Sequence, residues 1–270
     1  MKRFHWICCF AVVLCLLLAT AGGYALGADE HYTPQYGQAG KNVVWVPTPQ
    51  ALVDAMLDMA QVTSSDHVID LGSGDGRMVI TAAKRGATAL GIEYNPDLVE
   101  LSRRAAAKEG VSAKATFEKG DIFESDFSQA TVITMFLLQA LNLKLRPTIL
   151  DMKPGTRIVS TEFAMGDWYP DQTTILTDSG IGWNTAHFWI VPGQIDGAWQ
   201  LDNGQINFIQ NFQNVTGTLT TMGKNVELTG KLAGDTISFT AGGTKYTGTV
   251  NGNTNSGTHD GGGSWKATRI

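Results

Sequence analysis

Residues 67–77 read His-Val-Ile-Asp-Leu-Gly-Ser-Gly-Asp-Gly-Arg, and Glu93 closes a second apolar run, Ala89-Leu90-Gly91-Ile92. An apolar strand opening into glycines lets the backbone approach a ligand closely, and a carboxylate about 20 residues further on can accept hydrogen bonds from ribose hydroxyls. The combination predicts a nucleoside-cofactor site. A dinucleotide fingerprint needs its third glycine three residues after the second, but here Gly72, Gly74 and Gly76 are followed by Arg77 at that place, which disfavours a dinucleotide. Asp70 stands two residues before the first glycine, where a carboxylate can pair with an ammonium and attract a further positive centre nearby. A cofactor with a cationic amino-acid part fits better than a pyrophosphate. Glycines alone would equally suit an ordinary strand-to-helix turn; the carboxylates raise the site above that reading.

Asp70-Leu71-Gly72-Ser73-Gly74-Asp75-Gly76, Glu93 and Gly120-Asp121-Ile122, in this order and spacing, resemble the class I, seven-β-strand methyltransferases that use S-adenosyl-L-methionine (SAM). The resemblance implies that Asp70, Gly72, Ser73, Gly74 and Gly76 form the loop under the cofactor. It implies that Glu93 holds the ribose and that Asp121 with the backbone of Ile122 holds adenine. More narrowly, Val46-Pro47-Thr48-Pro49, the glycine block with Arg77, Leu143-Lys144-Leu145-Arg146-Pro147 and Met165-Gly166-Asp167-Trp168 look like an exported bacterial group of methyltransferases. That group is in turn similar to mitochondrial protein-lysine N-methyltransferases. The likeness spans roughly residues 43–191, and Trp45 joins the expected cofactor residues as a covering ring.

The elements that must position these residues follow from periodicity. A helix is predicted from Thr48 as cap and Pro49 as its first residue, with Leu52, Val53, Met56 and Leu57 as an apolar stripe. Strands are predicted at 68–71, 89–93, 115–119, 131–138 and 157–163, with helices at 78–84, 96–109 and 141–152 between them. Strands that alternate with helices imply a parallel sheet, right-handed crossovers and a ligand at the strands' carboxyl ends. Residues 173–177 and 183–191, around a turn at 180–182, fit a closing antiparallel hairpin. The predicted fold is α/β, a Rossmann-like class I methyltransferase sheet with helices on both faces, followed by a small all-β domain.

That last part begins past Pro192-Gly193, where Gly, Thr and Asn dominate and period-two alternation replaces helical spacing. Strands at 205–212, 215–221, 225–229, 236–240, 245–250 and 264–268, joined by Gly or Asn turns, predict a small antiparallel barrel or sandwich. The tract 248–263 also reads as glycine-rich linker. Structure is preferred, because Trp265 and the alternating Phe208, Ile209 and Phe212 would otherwise be left exposed.

The start of the chain predicts export. Lys2 and Arg3 precede an apolar run from Trp6 to Ala21 that ends in small residues, the pattern of a signal peptide over 1–28; an uncleaved anchor is the alternative. The expected domains are this signal, an extended arm at 29–42, the methyltransferase domain at 43–192 and the β domain at 193–270. The expected location is periplasmic or secreted, with membrane contact only through an uncleaved signal. All three cysteines, Cys8, Cys9 and Cys15, lie inside the signal, so the mature chain has no disulfide or thiolate metal site. His31, His67, His187 and His259 show no ligand spacing, so no metal is expected. Among 270 residues, 43% hydrophobic and 17% charged, the formal charge is −5 with no basic block. Sequence-independent nucleic-acid binding is therefore disfavoured.

Methyl transfer from a sulfonium is an in-line displacement that needs contact, exclusion of water and a neutral nucleophile. The segment Thr134-Met135-Phe136-Leu137-Leu138-Gln139 should face the methyl group. It lacks the Asn/Asp-Pro-Pro-aromatic motif of enzymes acting on exocyclic base nitrogens, and it carries Gln139 where the resembled group has proline. For a lysine acceptor, Phe136, Trp45 and Trp168 would form a cation-compatible wall and Glu162 or Asp167 would steer the ammonium. Phe136, Asp167 and Trp168 are thus the expected catalytic residues. Bland alternatives stand beside them: core or cofactor-covering rings, and a turn cap for Asp167. Two functions are carried forward: a methyltransferase acting on an envelope acceptor, either a protein (foremost its lysine) or a small molecule, and a nucleoside- or substrate-binding envelope module without turnover.

Overall fold

The computed structural model describes residues 32–177 and 182–270. The expected signal at 1–28, the first residues of the arm and most of the 180–182 turn lie outside the described residues. From Pro34 to Ile270 the chain forms one compact unit.

Its centre is a seven-stranded sheet. Helix α1 (Gln50–Met59) precedes β1 (His67–Leu71), α2 (Arg77–Lys84), β2 (Thr88–Glu93), α3 (Pro96–Lys108), β3 (Ala115–Lys119), β4 (Val132–Met135), α4 (Gln139–Leu150), β5 (Arg157–Thr161), β6 (Gln172–Ile175) and β7 (Thr185–Ile190). The order is β3-β2-β1-β4-β5-β7-β6. Strands β1 to β5 run parallel, while β7 is antiparallel to β5 and to β6. Both faces are buried, as near-continuous apolar strands require. Val68, Ala89, Val132 and Val159 pack under α1, α2 and α3, whereas Ile69, Ile92, Ile133 and Ile158 pack under α4. The chain leaves β1 toward β2 on one side and reaches β4 on the other, so the crevice where ligands settle opens at the carboxyl ends of β1 and β4.

Several element ends differ from the sequence pattern for local reasons. Pro49 is the N-cap of α1 in extended conformation, and no side chain caps the helix. Thr48 instead uses its carbonyl to accept from Arg77 Nη1 at 2.8 Å. Strand β4 stops at Met135, which frees Phe136 and Leu138 to leave the ladder. Gln139 is the first residue of α4, a position where proline is also welcome, so the departure from the resembled group leaves the helix start intact. Strand β5 ends at Thr161 because Glu162 takes a left-handed φ of 60°, held by its Oε1 accepting from the Asn184 and Thr185 amides.

Eight further strands close a barrel: β8 (Gly197–Leu201), β9 (Gly204–Asn211), β10 (Asn214–Thr221), β11 (Lys224–Ala233), β12 (Thr236–Ala241), β13 (Thr244–Asn251), β14 (Thr254–His259) and β15 (Ser264–Arg269). Trp199, Ile206, Phe208, Leu228, Phe239 and Trp265 fill it. Strands β8 and β14 were absent from the sequence pattern. The tract 248–263 is strand because its glycines make room: Gly248 pairs with Gly257, and a Cβ on Gly248 would lie 2.5 Å from the Trp265 ring. Ile209 faces solvent at 59% exposure, and Phe212 leaves the barrel to stack on Trp168 with centroids 5.9 Å apart. Among the described residues no helix is long and apolar enough to cross a membrane.

Candidate functional site

A cavity of about 540 Å³ opens at the carboxyl ends of β1, β2 and β4. The glycine loop is its floor. Gly72, Gly74 and Gly76 all have positive φ, between 54° and 83°, which side-chain-bearing residues resist. A Cβ on Gly74 would meet Trp45 Nε1 at 2.8 Å, so the indole covers the loop closely. Gly76 faces the other way: its added Cβ would strike Phe117 and Ser102, and it does not line the cavity. At the N-cap of α2 it allows close packing against Phe117 of β3 and Ser102 of α3.

Asp70, at the end of β1, is 7% exposed. Among the described residues its donor is Thr134 Oγ1, at 2.7 Å from the neighbouring strand. Burial pushes its carboxyl up to about 7; the Thr134 bond pulls against this, and the carboxylates of Glu93 and Asp75 add to it. A buried acid with a hydroxyl but no cation suits a ligand that brings positive charge. Ser73, also lining the cavity, has a buried hydroxyl without a partner among the described residues. Glu93 ends β2; its Oε2 accepts from the Gly74 amide and its Oε1 from the Asn95 amide, both at 2.9 Å. Two amides leave a carboxylate further acceptor capacity, enough for a diol. After β3, Asp121 Oδ1 accepts from the Phe123 amide at 3.1 Å, and Oδ2 pairs with Lys41. The Lys41 bond, followed by that of Phe123, holds the Asp121 carboxyl below its ordinary range. Ile122 lies beside it on the same wall.

The expected cofactor residues Trp45, Asp70, Gly72, Ser73, Gly74, Glu93, Asp121 and Ile122 therefore meet at one cavity, together with Phe136 of the expected catalytic group. Asp167 and Trp168 are elsewhere. Trp168 is fully buried, stacked on Phe212 and next to Trp189, whose Nε1 donates to the Trp168 carbonyl at 2.9 Å. Asp167 is exposed and paired with Arg146, whose hydrogen bond lowers its carboxyl. Glu162, the other residue expected to steer an ammonium, is engaged with the Asn184 and Thr185 amides. Among the described residues no cluster of three metal-ligating side chains occurs.

Other lining residues carried no motif. Thr161 and Phe163 follow from β5 ending at the crevice, and Trp183 arrives on the return to β7. Trp183 meets Phe136 edge to face at 5.5 Å and donates from Nε1 to Tyr36 Oη at 3.0 Å. The arm supplies a whole wall. Residues 35–45 fold back on themselves through the Ala39–Val44 bridge and the Gly37–Trp45 and Trp45–Gln38 backbone bonds, where the sequence showed only an extended segment. The rule that ligands sit at strand ends could have flagged Thr161 and Phe163; nothing local flagged Lys41 or Trp183.

A family profile described as the ANTKMT methyltransferase domain matches residues 70–172. A protein-lysine N-methyltransferase of Saccharolobus islandicus (strain REY15A) is 40% identical over 153 residues, 56% of this chain and 94% of that protein. A lysine N-methyltransferase of Homo sapiens, named for ATP synthase, is 33% identical over 162 residues, 59% of this chain and 69% of that protein. Among solved structures, an RNA methyltransferase from Salinibacter ruber in complex with S-adenosyl-L-homocysteine is 47% identical, with a TM-score of 0.52, and the match covers 56% of this chain and 96% of that one.

Proposed function

This chain belongs to the SAM-dependent methyltransferases of the ANTKMT methyltransferase-domain family, and from that premise we propose that its methyl acceptor is a lysine side chain of a protein. The observation that carries the proposal is how the sheet divides the cavity. The lining carboxylates Asp70, Asp75, Glu93 and Asp121 follow β1, β2 and β3, on one half of the strand order. Phe136, Phe163 and Trp183 flank β4, β5 and β7, on the other half. One half suits a charged, hydroxyl-rich cofactor and the other an alkyl amine.

SAM supplies, when bound, a methyl group on a positively charged sulfur. Asp70 would receive the ammonium of its amino-acid part, Glu93 the ribose hydroxyls, and Asp121 with the Ile122 amide the adenine edge. The aromatic half then does what the transfer requires of the protein. Its ring faces attract the ammonium of an arriving lysine, and its apolar surroundings favour the neutral amine that can attack. Among the described residues no carboxylate lines that half, so the ammonium would give its proton to solvent water as the apolar surroundings disfavour its charge. The names of the relatives from Saccharolobus islandicus and Homo sapiens support a protein lysine.

The test is incubation of the purified chain with methyl-labelled SAM and an envelope extract, followed by acid hydrolysis. Label recovered as methylated lysine supports the proposal. Label that disappears on nuclease treatment, in line with the name of the Salinibacter ruber relative, overturns it. We also propose export to the envelope, supported by the basic start and apolar run of residues 2–21; a fusion to an export-dependent reporter that stays inactive would refute it.

A further inference from the structure

Asp121, Ile122 and Tyr94 line the cavity side by side. A carboxylate acceptor next to a backbone N–H that makes no bond among the described residues matches the donor–acceptor edge of adenine, an amino group beside a ring nitrogen. The Tyr94 ring offers a face for the base to lie on. Both features are already taken in this structure, and by one side chain. Lys41 Nζ is 2.5 Å from Asp121 Oδ2 and 4.5 Å from the centroid of the Tyr94 ring. An ammonium there satisfies the carboxylate as an amino group would, and covers the ring as a base would.

We propose that Lys41 is an internal competitor for the adenine subsite, displaced when the cofactor enters. The proposal rests on the methyltransferase reading above and adds its regulation. Displacement would not stay local. Lys41 sits in the folded arm between Tyr36, which accepts from Trp183, and Trp45, which covers Gly74. Trp183 in turn packs on Phe136 at the acceptor half. Moving Lys41 therefore pulls on a segment fastened at both ends of the cavity, so cofactor binding precedes opening of the acceptor entrance.

The opposite role is that Lys41 clamps a bound cofactor, and the two differ in sign. Titration of the full chain with S-adenosylhomocysteine should show Lys41→Met binding about two- to fivefold tighter than wild type, the scale of one exposed ion pair, with Lys41→Arg close to wild type. Adenosine should show the same gain and homocysteine none. Trypsin cleavage after Lys41 should quicken when S-adenosylhomocysteine is added to the wild-type chain, because the side chain is released. Equal or weaker binding by Lys41→Met, or slower cleavage at Lys41 with ligand, overturns the competitor role. Absence of any binding by the wild type would instead bring down the methyltransferase reading beneath it.

Discussion

Replacing Asp70 by Asn tests the central electrostatic feature of the site. The Asn Oδ1 can still accept from Thr134 Oγ1, so the change removes the ionisation and keeps the bond. In the ligand-free protein burial raises the carboxyl from 3.8 to about 7. Between those values the folded chain holds a proton that the unfolded chain has lost. Stability from this group is therefore full below about pH 4, falls as pH rises, and is gone above about pH 7. At about 1.4 kcal/mol per pH unit, the wild type should lose up to about 4 kcal/mol relative to Asp70→Asn across that window. The assay is urea unfolding of both proteins from pH 4 to pH 8 without ligand. The difference between them should climb with pH and level off above 7; the constant part absorbs the cost of the new amide N–H₂. S-adenosylhomocysteine should narrow the gap at pH 8 by about 1–3 kcal/mol, because its ammonium compensates the carboxylate. Its affinity should fall about 10- to 100-fold in Asp70→Asn at pH 8, the worth of a charged hydrogen bond. A stability difference that does not change with pH, or equal ligand affinity, would refute the reasoning.

Other substitutions probe the remaining parts. Glu93→Ala should weaken S-adenosylhomocysteine binding by about 1–3 kcal/mol through lost charged hydrogen bonds, read by calorimetry; unchanged affinity would remove Glu93 from the site. Phe136→Ala should lower kcat for the lysine acceptor while leaving cofactor affinity near wild type, and a matching loss of cofactor affinity would place that ring on the wrong half. Trp168→Ala should cost about 3–5 kcal/mol in unfolding free energy, as expected for a fully buried ring, with folded protein retaining its cofactor affinity; the reverse pattern would return Trp168 to the active site.

The cofactor half was legible because its constraints are local. A glycine at Gly74 is required by a positive φ and by the Trp45 ring above it, and Glu93 and Asp121 stand at fixed distances along the same βαβ repeat. The alternation of strands and helices, and with it a parallel sheet, followed for the same reason. Of the aromatic half only Phe136 was legible, because the others are brought there only by the fold. Phe163 reaches the cavity after the left-handed turn at Glu162, and Trp183 arrives from a hairpin with no motif of its own. Lys41 acts across 80 residues on Asp121. Gly257 hid β14 because low side-chain volume reads as linker, when the use of Gly248 and its partner Gly257 is to make room for Trp265.

The misplacement of Asp167 and Trp168 has a structural cause in the barrel. A closed barrel presents no free strand edge, so it cannot extend the sheet at β6 and must attach through side chains. The attachments gather on the segment between β5 and β6. Phe212 stacks on Trp168, Gln213 Nε2 donates to the Tyr169 carbonyl at 2.8 Å, and Lys231 pairs with Asp171 at 2.7 Å. Arg146 of α4 closes the same patch, with its guanidinium 5.4 Å from the Phe212 ring and an ion pair to Asp167. A segment held at Trp168, Tyr169 and Asp171 against the barrel cannot also turn its indole into the cavity. The indole that does line the cavity beside Phe136 comes from the next hairpin, at Trp183.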